Sequence, residues 1–160
     1  MKKKLRLHPR DRKDQLEHFI IKAVSHHGIA RVTHSHVCVL ADVSVSTVHF
    51  YYKRRQDLVN SAIRQVESFL IDMFDENLDR TSEVEALTDL AAAFVKEGFE
   101  NPDLIKVWLD WSAGINQGVW LEYQNLLKRL HEKVRNVLTR SKRNGNLPAN
   151  FDSMSATRLY

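Results

Sequence analysis

Apolar residues along this chain recur mainly at helical spacing. From Arg10 to His27, the residues Leu16, Phe19, Ile20, Ala23 and Val24 define one face of an amphipathic helix. His26-His27-Gly28 closes that helix, with Gly28 suited to the left-handed position just beyond a C-terminus. Thr33 then caps a short second helix holding Val37, Leu40 and Ala41. Asp42-Val43-Ser44 is a turn, and a third short helix runs from about Val45 to Tyr52. Lys53-Arg54-Arg55-Gln56 breaks the pattern before a long helix from Asp57 to about Asn77. Val59, Ile63, Val66, Leu70, Met73 and Phe74 line one side of it.

The second half continues in the same way. After a loop at Leu78-Asp79-Arg80-Thr81, Ser82 and Glu85 form a capping box for a helix that carries Leu87, Leu90, Ala91, Phe94 and Val95 and ends near Gly98. Asn101-Pro102 opens the next, which contains Ile105, Trp108, Leu109 and Trp111. Gly114 to Gly118 interrupts, and a long helix follows from about Val119 to Arg143, stopped by Asn144-Gly145-Asn146 and Pro148. Asp152 to Tyr160 has the pattern of the first turns of another helix. No segment reads as a strand and no repeat period is found, so the expected class is all-α, with about eight helices.

Composition narrows the class. Five Gly and three Pro are too few for a fold built on many tight turns, and 43% apolar with 28% charged residues fits a folded globular chain. The lone Cys38 excludes an intramolecular disulfide framework and fits a reducing cytoplasm. No apolar run approaches the ~18 residues of a transmembrane helix, and no signal-peptide pattern follows the basic start. Residues 1–13 hold only Leu5 and Leu7 as bulky apolar groups, too little for a membrane anchor.

Charge is unevenly distributed. Residues 1–58 carry 12 Lys/Arg against 5 Asp/Glu, whereas residues 59–160 carry 12 against 15, and seven of the basic residues fall in the first 13 positions. A basic N-terminal third on a slightly acidic body points to a module that meets a polyanion.

The three helices over residues 10–52 supply that module: a long helix, a short helix, a tight turn and a second short helix form a helix-turn-helix arrangement. In the bracing helix Val37 and Leu40 are expected to face inward, with Cys38 a small buried hydrophobe. In the last helix Val45, Val48 and Tyr52 define the packing side. Ser46, Thr47, Phe50 and Tyr51 then point outward, with His49 at the boundary and Lys53 at the C-terminal end. Hydroxyls bond base edges or phosphates, and an aromatic or methyl group contacts a thymine methyl. An exposed Phe50 beside Tyr51 favours a binding role over a bare surface.

At these residues the sequence resembles a known family. Val43-Ser44-Val45-Ser46-Thr47-Val48-His49-Phe50-Tyr51-Tyr52-Lys53, followed by Arg55-Gln56-Asp57-Leu58-Val59, resembles the DNA-binding signature of TetR-type repressors. Lys106-Val107-Trp108-Leu109-Asp110-Trp111-Ser112, Val119-Trp120 and Leu5-Arg6-Leu7-His8-Pro9 are similar to the quorum-sensing master regulators of the HapR/LuxR/SmcR type. The resemblance implies an all-helical homodimer on a pseudo-palindromic operator in double-stranded DNA. It implies a DNA-binding domain over residues 1–55, with a basic arm, and a helical ligand-binding and dimerisation domain over 56–160. Ser46, Thr47, Phe50, Tyr51 and Lys53 would face DNA, and His49 and Thr33 would sit at phosphates. The arm from Lys2 to Arg6, with Lys4 and Arg6, would enter the minor groove.

Two features depart from that subgroup. It usually has Asn at position 50, a residue that pairs bidentately with adenine, and Phe50 cannot do so. Family members also run longer, their last two helices pairing across the dimer, whereas this chain stops inside the first of them. A fragment, weak dimerisation and a different mode of pairing all remain open, as does a short antagonist that pairs with a full-length relative; the complete basic arm counts against the antagonist.

In the body, Leu70, Met73, Phe74, Leu90, Phe94, Trp108, Trp111 and Tyr123 fall on apolar helix faces, and the resemblance implies that several line a pocket for a small apolar effector. Aromatic residues at helical spacing are more often core, and Trp108 and Trp111 are the ones kept as pocket candidates. No phosphate-binding loop, nucleophile elbow or paired-cysteine motif is present, so no enzyme, catalytic residue or cofactor is expected. Eight histidines invite a metal reading, but His26-His27 are adjacent and His34 and His36 are two apart, so neither pair shares a helix face and no metal site is expected.

Overall fold

A computed structural model describes residues 8–78, 83–114, 118–148, 150–152 and 155, and among these it contains seven α-helices and no strand. They are α1 (Pro9–His27), α2 (His34–Ala41), α3 (Val45–Tyr51), α4 (Arg55–Leu78), α5 (Glu83–Glu100), α6 (Pro102–Ala113) and α7 (Trp120–Arg143). The expected all-α class is therefore observed. The Lys2–Arg6 arm, Ser82 of the expected capping box and most of the segment after Asp152 lie outside the described residues. No helix among the described residues is long and apolar enough to cross a membrane.

The helix ends follow local chemistry. Pro9 occupies the first position of α1, where its missing N–H costs nothing. Gly28 ends α1 at φ 78°, its N–H donating to the Val24 carbonyl at 2.8 Å. α4 begins at Arg55, two residues before the expected Asp57, because the Asp57 carboxylate reaches back to accept the Arg54 N–H at 2.8 Å instead of capping from outside. α5 runs through Gly98 to Glu100 and stops only where Pro102 withholds a backbone donor, leaving Asn101 as the sole residue between α5 and α6.

The chain packs as two compact units. The first joins α1, α2, α3 and α4 through Val66 with Asp103–Ala113 of α6. Its core contains Leu16, Ile20, Val24, Val32, Val37, Val48, Leu58 and Trp111, each at most 1% exposed. Two carboxylates bind α6 to the end of α1 and the loop after it: Asp103 accepts from the Ser25 hydroxyl at 2.7 Å, and Asp110 from the Ile29 N–H at 2.7 Å. The second unit comprises α4 from Glu67, α5 and α7. Tyr123, Leu126, Leu130, Val134, Val137 and Leu138 form the buried stripe of α7, and the ion pairs Arg129–Glu67 and Lys133–Asp75 tie α7 to α4. Leu70, Met73, Phe74 and Leu90 are buried in this unit, and Phe74 meets Phe94 edge to face at 5.9 Å between ring centroids.

Several apolar positions differ from the periodic reading. Leu40 is 37% exposed and Val45 45% exposed, while Cys38 and Ala41 fill the inward side of α2. On α5 the buried residues are Ala86 and Leu90, and Val95 lies on the surface, as Leu109 does on α6. A face inferred from spacing spans roughly 100° of a helix, and over the eight residues of α2 or the seven of α3 one residue's rotation is enough to carry a position out of the core.

Candidate nucleic-acid interface

Thr33 caps α2 as expected. Its hydroxyl accepts from the His36 N–H at 3.4 Å, and the His36 imidazole in turn accepts the Thr33 N–H on Nδ1 at 3.3 Å. A histidine thus takes the place usually held by Glu or Gln in a capping box. Asp42 then turns the chain with φ 50° and ψ 50°, a left-handed conformation that Asp tolerates better than most residues.

α3 starts at a cap that spacing alone did not single out. The Ser44 hydroxyl accepts from the Thr47 N–H at 3.2 Å and lies 2.8 Å from both the Ser46 and Thr47 hydroxyls. The local signal for it is a Ser placed immediately before the helix. Behind α3, Val48 and Tyr52 are buried and hold the helix to its neighbours; burial also raises the Tyr52 phenol above its ordinary pKa. In front, Ser46, His49 and Phe50 are exposed, and Phe50 reaches 76% exposure with the Tyr51 ring edge-on beside it, 5.1 Å away.

Not every outward residue is free. Tyr51 is half-buried, and its hydroxyl donates to the Pro9 carbonyl at 3.2 Å, linking α3 to the start of α1. Lys53 and Arg54 are exposed just beyond α3. Arg55 serves a different role: its guanidinium donates to the carbonyls of Ile29 at 2.6 Å and Ala30 at 3.3 Å, so the α1–α2 loop is held from one side by Arg55 and from the other by Asp110. Lys4 and Arg6 lie outside the described residues.

The histidines come together in a way the sequence did not reveal. His27 of α1 stacks on His36 of α2 with ring centroids 3.6 Å apart, and His34 of α2 stacks on His49 of α3 at 3.9 Å. His34 Nε2 lies 2.7 Å from the Tyr52 carbonyl at the end of α3. Partial burial, then the neighbouring His36, His26 and Arg31, hold the His27 pKa below its ordinary value of 6.5. Stacked rings direct their nitrogen lone pairs in parallel planes, which does not suit a shared metal, and no group of three or more His, Cys, Asp or Glu among the described residues is placed to hold one. Burial raises the Cys38 thiol above its ordinary pKa, away from a reactive thiolate.

The eight residues expected at an effector pocket divide between the units. Trp108 and Trp111 belong to the first, with Trp111 fully buried and Trp108 half-buried. Leu70, Met73, Phe74, Leu90, Phe94 and Tyr123 belong to the second, where Tyr123 stacks on Trp120 at 5.1 Å. A cleft of about 700 Å³ lies between α4 and α5 in the second unit; Met73 is the one of the eight that lines it, beside Phe69, Asp72, Glu76, Asp89 and Lys96.

No family model matches the chain. It is 33% identical over 119 residues to the HTH-type transcriptional regulator LuxR of Vibrio harveyi, an alignment covering 72% of this chain and 57% of LuxR, so the chain spans less than two thirds of that relative's length. Among solved structures it is similar to the transcriptional regulator FadR from Bacillus subtilis in complex with stearoyl-CoA. The TM-score is 0.75 at 16% identity, covering 92% of this chain and 80% of that one. It is likewise similar to the TetR family regulator PfmR from Thermus thermophilus, with a TM-score of 0.72 at 18% identity, covering 91% and 79%. These relatives are transcriptional regulators. Together with the helix-turn-helix unit, the sequence likeness to LuxR and the shared all-helical fold identify the chain as a member of the TetR superfamily that resembles the LuxR type.

Proposed function

We propose that the chain is a sequence-specific DNA-binding regulator of transcription that acts in the cytoplasm. It binds a pseudo-palindromic operator as a homodimer, one α3 per half-site, in gene control linked to quorum sensing. The observation that carries this reading is the surface of α3: a seven-residue helix fixed from behind by Val48 and Tyr52 that turns Ser46, Thr47, His49 and Phe50 outward, with Lys53 at its end. Thr33 caps the N-terminus of α2, where helix N–H groups favour an anion, and the exposed His49 side chain in the last turn of α3 would be a second phosphate contact. The arm residues Lys4 and Arg6 add minor-groove contacts and salt-dependent affinity. The likeness to LuxR, a transcriptional regulator, supports the assignment.

A small apolar effector is the second part of the proposal. Met73 and Phe69 supply apolar and polarizable wall material in the cleft between α4 and α5, and two neighbours of the same fold were solved with small molecules, FadR with stearoyl-CoA and SmeT with triclosan.

The direct test is fluorescence anisotropy of the chain with a pseudo-palindromic A·T-rich duplex and with the same bases scrambled, at ~0.1 M salt. A preference above ~10³ is expected of specific recognition. Thr47→Ala and Tyr51→Ala should lose that preference while the helical circular-dichroism signal is unchanged. Equal binding to both duplexes would refute sequence reading, and unaltered preference in both variants would remove α3 from the role given to it.

A further inference from the structure

We infer that α3 reads its half-site through thymine methyl groups, and that Phe50 is the residue that imposes this requirement. The inference rests on the proposed DNA-reading role of α3 and specifies what that helix recognises.

The major groove presents hydrogen-bond donors and acceptors at every base pair but only one apolar feature, the C5-methyl of thymine. Base discrimination by hydrogen bonding is strongest with side chains that offer two converging polar groups, namely Arg, Asn, Gln and their like. α3 contains Val45, Ser46, Thr47, Val48, His49, Phe50 and Tyr51, and none is of that kind. The remaining polar groups each already have one contact within the protein. The Ser46 and Thr47 hydroxyls each lie 2.8 Å from Ser44 Oγ, the Tyr51 hydroxyl donates to the Pro9 carbonyl, and the His49 ring is stacked on His34.

The largest side chain that α3 turns outward is apolar. Phe50 is 76% exposed and sits three and four positions after Thr47 and Ser46, so its ring lies on the same stripe as the Thr47 methyl group. The Tyr51 ring braces Phe50 edge-on, which limits the rotamer freedom lost on binding. A phenyl ring presented to the floor of the major groove gains by covering a methyl group and loses nothing by lacking hydrogen bonds, whereas against a bare cytosine or a purine edge it leaves polar atoms without water.

The test begins with the preferred duplex that the full chain selects from a randomised double-stranded pool. That duplex is then remade with each thymine in turn replaced by deoxyuridine, which keeps Watson–Crick pairing and removes only the methyl. At the positions facing Phe50, each replacement should weaken binding about four-fold, the worth of one buried methyl group. Phe50→Ala, an exposed substitution that should leave the helical signal intact, should bind thymine and deoxyuridine duplexes equally. Phe50→Asn should exchange the methyl dependence for a preference for adenine. A duplex selected with clear sequence preference but indifferent to every deoxyuridine, or a Phe50→Ala variant that keeps the discrimination, overturns this inference and leaves α3 as a reader by other means. Selection of no preferred sequence overturns it together with the DNA-reading role itself. A Phe50-dependent change of association state without DNA would assign the ring to a protein contact and overturn it as well.

Discussion

Replacing Ser44 by alanine should cost both stability of the first unit and DNA affinity, through routes that two further variants separate. α3 is about 10 Å long and well below the ~12–15 residues at which an isolated helix becomes even marginal in water. Its persistence depends on burial of Val48 and Tyr52 and on the cap in which Ser44 Oγ accepts the Thr47 N–H at 3.2 Å. Loss of a serine cap costs about 1 kcal/mol, and for a chain of this size a change of that order lowers Tm by roughly 2–4 °C. The same hydroxyl orders those of Ser46 and Thr47 at 2.8 Å, so DNA affinity should fall beyond what lost stability accounts for. Ser44→Asn restores an acceptor and should recover most of the stability. Ser44→Asp restores it too and adds a negative charge favourable to a helix N-terminus, yet that charge would face phosphates, so this variant should be as stable as the parent and bind DNA worst. Urea unfolding followed by circular dichroism and anisotropy against the selected duplex read the two effects. If Ser44→Ala unfolds with the parent, or Ser44→Asp binds DNA as tightly as the parent, the cap does not hold the recognition surface.

Other expectations follow from the same unit. Asp110→Ala removes the acceptor of the Ile29 N–H, a buried residue's donor, and should destabilise by about 1–3 kcal/mol, whereas Asp110→Asn keeps an oxygen there and should cost less; equal urea midpoints for the two variants would argue against that bond. His27 has a folded pKa below its ordinary 6.5, so the unfolded chain takes the proton first. Its contribution to stability is full above about pH 6.5 and is lost as pH falls through the folded pKa; unfolding midpoints measured from pH ~8 to ~5 should show this decline, flattened in His27→Gln. Lys53→Ala should lower the salt dependence of DNA binding by about one unit of slope per subunit while leaving the preference for the selected sequence intact, and a changed preference would place Lys53 on a base edge.

The helices were legible in the sequence because their apolar stripes are long enough to average out local exceptions. α1, α4 and α7 have 19, 24 and 24 residues, and their expected spans agree with the structure to within a few positions. Caps with a local signature were legible as well: Thr33 before α2, and Asn101-Pro102 between α5 and α6. What spacing could not supply is anything decided by another part of the chain. Arg55 reads as one more cation of a basic run, and only the carbonyls of Ile29 and Ala30, brought near by the fold, make it a structural bond. The membership of Asp103–Ala113 in the first unit depends on two carboxylates that meet residues 78 and 81 positions away. The pairing of the histidines across helices is a tertiary fact that no period announces.

Those tertiary contacts change what the net charge means. A tally of 12 cations over residues 1–58 reads as a uniformly basic module, yet the fold commits Arg55 to the α1–α2 loop, and α3 itself carries no Lys or Arg at all. Cationic groups stand instead at the margin of α3, at Lys53 and Arg54, and in the arm that precedes α1. In the proposed DNA-binding role, charge and sequence reading would fall on different residues: phosphates would be met from the margins by Lys53 and Arg54, and the helix at the centre would meet the bases chiefly with the Phe50 ring. A recognition helix without Lys or Arg would gain little from being near DNA of the wrong sequence. Under the proposed readout its apolar surface would be rewarded only where methyl groups cover it, so the same feature that weakens α3 as a general binder would sharpen it as a discriminator.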